Sequence, residues 1–121
     1  MALKRIAGTA YIKVDSVQLA LKGSIEVDPA DVMREPVTGL DGVHGYKETP
    51  KAPSITVTVS KTPDLKLKQV LGWKGRTVTA ELGDGTTYVL SDAFQSGELK
   101  LDGAEGQVPI TFTGASCREM N

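Results

Sequence analysis

Side chains that do chemistry are scarce in this sequence. Among 121 residues there is one cysteine, Cys117, and one histidine, His44. A single cysteine forms no intrachain disulfide, so nothing points to an oxidising compartment, and with His44 as the only other soft ligand no zinc set can be assembled. A catalytic triad would have to be built around His44, whose neighbours Val43 and Gly45 offer no rigid platform for catalysis. Aromatic residues amount to 5%, with one tryptophan, Trp73. No apolar run approaches the length of a membrane span, and Met1-Ala2-Leu3-Lys4-Arg5 is followed by no apolar stretch, so neither a membrane segment nor a signal peptide is expected. The formal net charge is −1, without the basic surplus by which conventional nucleic-acid binders grip phosphate.

The remaining candidate motifs have structural readings. Gly72-Trp73-Lys74-Gly75-Arg76 lacks the spacing of a phosphate-binding loop and does not open a helix, so it reads as a helix stop and turn. Asp84, Asp92 and Asp102 stand beside turns, where an aspartate bonds its own backbone, and Glu81, Glu98 and Glu105 fall on solvated faces. The expectation is no catalytic residue, no cofactor and no metal.

What is present is alternation with a period of two. Val17, Leu19, Leu21, Gly23, Ile25 and Val27 oppose Gln18, Ala20, Lys22, Ser24, Glu26 and Asp28, which predicts one long half-buried strand with a bulge or bend at Gly23. The same pattern runs through Ala10–Val14, Ile55–Val59, Val78–Leu82 and Val108–Phe112. Gly83-Asp84-Gly85 before the run Thr86 to Leu90 predicts a hairpin, and Asp15-Ser16 joins the first two strands in the same way. One helix is expected over about 63–71, with Thr62 as cap, Pro63 in the first turn and Gly72 as stop; Ser91 to Ser96 is read as one further helical turn. The predicted fold is a single domain over residues 1–121, mainly β: two packed antiparallel sheets in a sandwich or partly open barrel, with one α-helix.

A long inter-strand loop, 28–53, interrupts this pattern. It holds four prolines and Gly39, Gly42 and Gly45, and its length far exceeds an ordinary connection. Apolar residues nevertheless recur along it, which a merely solvated linker does not need and which fits an arm ordered against a partner.

Taken in order, several segments resemble the Mu-like bacteriophage tail tube protein family. They are Ala7–Asp15 at the start, Gly39-Leu40-Asp41-Gly42-Val43-His44-Gly45-Tyr46-Lys47-Glu48 in the loop, Lys61-Thr62-Pro63-Asp64-Leu65 at the helix start, and Thr77–Leu90 continuing to Leu99–Asp102. The resemblance covers nearly the whole chain, at a similar length. It implies a structural protein and not an enzyme: a subunit of hexameric rings that stack into a hollow tube through which DNA passes into the host. It further implies that the long loop bridges neighbouring subunits and rings, through Met33, Val37, Leu40, Asp41, Val43, Tyr46 and Lys47. The implied partners are other copies of the chain, the sheath, baseplate and tail terminator proteins, and, transiently in the lumen, the tape measure protein and DNA. The implied location is the virion tail, assembled in the bacterial host cytoplasm.

The residues suit such a tube. If each of six subunits gives about four strands to an inner barrel, strands spaced roughly 4.8 Å apart and tilted by up to about 40° enclose a backbone diameter of roughly 37–48 Å. Side chains of about 5 Å on each wall leave a bore of roughly 27–38 Å, wider than a duplex on the order of 20 Å across. Two other readings compete: the tube of a phage-tail-like bacteriocin or secretion system, and a β-sandwich ligand-binding module, against which the scarcity of aromatic stacking platforms counts, Trp73 standing alone.

Overall fold

Alternation becomes strand wherever one of the two faces finds a core. The computed structural model describes residues 10–120, so Ala7–Thr9 of the opening segment lie outside the described residues. In chain order the first elements are β1 (Ala10–Val14), β2 (Val17–Leu19), β3 (Leu21–Asp28), β4 (Val32–Gly39), β5 (Gly42–Pro50) and β6 (Ser54–Ser60). There follow α1 (Leu67–Leu71), β7 (Arg76–Leu82), β8 (Thr87–Ser96), β9 (Gln107–Thr113) and β10 (Ser116–Met120).

Two antiparallel layers form the body. One has the strand order β2-β1-β7-β8-β10, the other β8-β9-β6-β3. They share β8, whose first half pairs with β7 and β10 and whose last residues, Phe94–Ser96, pair with β9. The strand changes layer at Asp92, which takes a left-handed φ of 53° beside a register shift against β7. That shift is a bulge, and bulges bend strands. The strand on its far side bends at the same level. β9 and β10 face β8 with one unbroken offset, from Ser96↔Thr111 to Thr87↔Met120, interrupted only at Gly114-Ala115. A Cβ on Gly114 would stand 2.7 Å from Leu90 Cγ and from the Ser91 carbonyl, so only glycine lets the two bent strands approach this closely. The ladder ends at β2 and β3, successive pieces of one run broken at Ala20; the barrel is incompletely closed.

Between the layers lies one hydrophobic core. Ile55, Val57 and Val59 of β6 and Val108, Ile110 and Phe112 of β9 meet Ile12, Val78, Ala80 and Leu90 of the other layer, all of them fully or almost fully buried. These are the apolar members of the alternating runs, as the pattern predicts. The hairpin at Gly83-Asp84-Gly85 also forms as expected, tied by Gly85 N–H to the Leu82 carbonyl and by Thr86 N–H to Asp84 Oδ1. Asp15, at φ 53°, closes the β1–β2 turn, and the register of β3 against β6 shifts between Leu21 and Ile25, around Gly23.

Four local expectations change. The one long strand expected over Val17–Val27 is two, β2 and β3, because the run breaks at Ala20 and its halves pair in different layers, β2 with β1 and β3 with β6. The helix begins at Leu67 with Lys66 as its cap residue, and Thr62 instead closes a turn with Leu65 N–H. Leu65 and Val70 are both buried. Five residues apart on one helix they would point about 140° away from each other, so a helix from Pro63 could not seat both. Residues 91–96 are strand, not a helical turn, because β8 must reach across both layers there. The stretch 28–53, read as a loop, contains the β4–β5 hairpin.

Candidate assembly surface

Seven residues of the long connection carry the expected subunit contacts, and the structure sets all of them on β4, β5 and the turn between. The hairpin is an extension of the body. The partner offset of β3 against β6 at Ile25↔Val57 continues unchanged through β4 and β5 to Val37↔Gly45, so the two pairs form one ribbon beyond the end of the layer. Eight residues at about 3.3 Å each carry the arm roughly 26 Å outward. At its base Lys51 N–H bonds the Asp31 carbonyl, and the Lys51 ammonium pairs with Asp28. That pairing holds the Asp28 carboxyl below the usual carboxylate range.

The arm has no core of its own. No residue of β4 is buried, and every residue of β5 is exposed. Leu40 at the apex is fully exposed, Val43 72% and Tyr46 66%. Register divides the seven residues between two faces. Met33, Val37 and Lys47 share one face with Thr49, Gly45 and Glu35; Tyr46 and Val43 share the other with Pro36 and Thr38. Leu40 and Asp41 make the turn. His44 is the extra residue of the register shift, and its Nε2 lies 2.5 Å from Asp41 Oδ1. That contact lowers the Asp41 carboxyl. Arg34–Glu48 at 3.1 Å and Lys47–Glu35 at 3.7 Å cross the ribbon at the surface.

Two further features bear on assembly. Among the described residues of the body, β2, β3 and β10 are each paired on one side only, leaving three open edges. The outer faces of both layers carry hydroxyls, with Thr79 and Thr87 in register with Lys13 and Glu81 on the layer that holds β1 and β7. Hydroxyls dominate on β6 and β9, where Ser96 Oγ lies 2.7 Å from Thr113 Oγ1 and Thr56 Oγ1 lies 3.4 Å from Thr111 Oγ1. On the other layer Lys13 faces Glu81 at 3.7 Å, and Arg118 stands opposite Val89.

No group among the described residues is set up for covalent chemistry. Burial pushes the Cys117 thiol up, away from the reactive thiolate. Three or more His, Cys, Asp or Glu do not converge anywhere in the described part of the chain. A small groove between β2 and α1 is lined by Leu19, Leu65, Gln69 and Trp73, with Asp64 as its one carboxylate. Trp73 itself is 7% exposed, its ring 6.1 Å from that of Phe112. It is a core residue and offers no platform for a ligand. No helix among the described residues is long and apolar enough to cross a membrane.

Comparison with known proteins gives a consistent picture. A family model described as phage tail tube protein matches residues 3–119. The tail tube protein of Escherichia phage Mu is 30% identical over 105 residues, covering 87% of this chain and 88% of that protein. Among solved structures, the sheath/tube terminator of an extracellular contractile injection system superposes with a TM-score of 0.69 at 11% identity, covering 99% of each chain. The tube terminating cap of the anti-feeding prophage gives 0.67 at 12% identity, over 100% of this chain and 95% of that one. Hcp1 from Flavobacterium johnsoniae gives 0.60 at 9% identity, over 91% and 93%. At such identities the structural likenesses establish the fold.

Proposed function

The chain belongs to the phage tail tube protein family, and from that membership we propose that it builds the tube of a contractile phage tail as a purely structural subunit, without enzymatic activity. Copies join into six-membered rings, the rings stack, and DNA leaves the particle through the bore. The observation that carries this reading is the coreless arm. An isolated two-stranded hairpin is marginal in water, and this one exposes apolar side chains on both faces and at its tip. Such an arm is ordered by what it lies against, and a neighbouring copy supplies that surface.

Both faces of the ribbon have a part in this. Met33, Val37 and Lys47 meet one neighbour and Val43 and Tyr46 another, with Leu40 and Asp41 reaching furthest from the body. The open edges of β3 and β10 offer main-chain hydrogen bonds to adjoining copies, which relieves the liability of exposed strand edges. The tube meets sheath around it, baseplate and terminator at its ends, and the tape measure protein and DNA in its lumen. Assembly takes place in the host cytoplasm, and the finished subunit resides in the virion tail.

The shared fold of the injection-system terminator and cap favours one second reading, the tube of a phage-tail-like bacteriocin or secretion system. Neighbouring genes separate the two, since only a phage cluster also encodes capsid and terminase. Self-association is tested by sedimentation velocity at rising concentration. Large, concentration-dependent species support the tube subunit; a species that stays at the mass of one chain overturns it.

A further inference from the structure

We propose that His44 is the positioning residue of the arm: its ring, folded back over Gly39 and bonded to Asp41, fixes the apex so that Leu40 is presented to a neighbouring copy. The inference rests on the tube reading above and names the residue that prepares the contact.

The turn needs such a device. Gly39 and Gly42 are register partners, so Leu40 and Asp41 are the whole connection between β4 and β5. Two-residue hairpins favour turns with a positive φ at one or both central residues, because those turns match the twist of the flanking strands. Neither Leu40 nor Asp41 has one; the positive φ falls on Gly42, at 130°. Backbone geometry alone therefore leaves the strands splayed at the tip, and an arm without a core has no packing to correct it.

His44 supplies the missing constraint. The register shift between Val37 and Thr38 leaves it as the extra residue of β5, without a partner across the ribbon. Such a bulge re-aims a side chain, and here the imidazole turns onto the opposite strand. A Cβ placed on Gly39 would overlap Cε1 of the ring and stand 2.7 Å from Nε2, so the imidazole fills the space that a side chain at 39 would need. Gly39 has no positive φ, so its missing side chain serves the ring and not the backbone. From there Nε2 reaches Asp41 Oδ1 at 2.5 Å. One side chain thus holds both neighbours of Leu40, Gly39 by contact and Asp41 by a hydrogen bond, while Leu40 between them stays fully exposed. Holding the neighbours removes conformations that a docking partner would otherwise have to suppress, which is preorganisation.

Gly39→Ala and His44→Ala, alone and together, test the assignment. Each single change should raise the concentration at which the chain polymerises by roughly tenfold, the effect of cutting the competent apex to about a tenth of its population. The double variant should be no worse than His44→Ala, because the three atoms nearest the added methyl all belong to the ring. Urea denaturation followed by Trp73 fluorescence should place all three variants level with the parent, since both positions lie outside the core. The single histidine also gives one set of ring signals in NMR spectra recorded below the concentration of assembly, and Gly39→Ala should move them. Three results overturn the assignment with the tube reading intact: His44→Ala polymerising like the parent, Gly39→Ala costing as much in the His44→Ala chain as in the parent, or ring signals that Gly39→Ala leaves in place. A parent chain that forms no polymer at any concentration overturns the tube reading itself, and the positioning role with it.

Discussion

Replacing residues 34–48 by Asn-Gly should separate folding from assembly. Met33 and Thr49 are direct register partners, so a two-residue turn of this type can join them without altering the base of the arm. The body should hardly notice. No buried side chain is removed, and the ion pairs lost, Arg34–Glu48 and Lys47–Glu35, have side chains between 42% and 65% exposed. Pairs of that kind contribute about 0–1 kcal/mol each, so the stability of the monomer should change by roughly 1 kcal/mol or less. Assembly should respond very differently. Val37, Leu40, Val43 and Tyr46 go with the arm, and if a neighbour buries them each is worth about 1.5–3 kcal/mol before ordering costs. The gross loss is then on the order of 6–12 kcal/mol per arm, enough to abolish polymer at any practical concentration. Urea denaturation measures the first quantity, and sedimentation velocity with electron microscopy the second. Tubes of normal length from this variant refute the argument, as does a monomer destabilised by several kcal/mol.

Other perturbations read the fold itself. Phe112→Ala empties the core beside Trp73 and should cost about 3–5 kcal/mol in urea denaturation followed by the fluorescence of that single tryptophan. Gly114→Ala forces a methyl against Leu90 and the Ser91 carbonyl, and should destabilise by about 1–3 kcal/mol in thermal melts monitored by circular dichroism. Asp15 accepts hydrogen bonds from Thr77 N–H and Arg76 Nη1, which hold its carboxyl below the unperturbed value of 3.8. Its folded form therefore favours the carboxylate, so the stabilisation is complete above that value and disappears as pH falls through the lowered one. Asp15→Ala should accordingly be less stable than the parent at neutral pH, with a gap that narrows in acid; a gap that widens there contradicts the assignment.

How much of this was legible in the sequence follows from where burial enforces a pattern. Ile55-Thr56-Val57-Thr58-Val59 shows its structure openly because one face is sealed in the core and the other is not. The β4–β5 arm shows nothing of the kind, since neither face is buried and no alternation is imposed on Arg34-Glu35-Pro36 or Lys47-Glu48-Thr49. Its prolines and glycines then suggest a loop. Residues 91–96 misled for a related reason. The bulge at Asp92 inserts a residue, so Leu90 and Ala93 are both buried and the alternation slips out of phase. At the helix, Thr62-Pro63-Asp64 carries a good start signal, but the core takes Leu65 and Val70 together and overrides it. The arm's apolar residues were visible as a set. Their division into two faces was not, because that depends on the register and on the extra residue at His44.

The central claim is that this chain polymerises into a hollow tube whose bore admits duplex DNA. Electron microscopy of the purified protein at rising concentration tests it most directly. The account predicts stacked six-fold rings enclosing a bore of roughly 27–38 Å. Compact monomers at every concentration, or filaments with no bore, would contradict it.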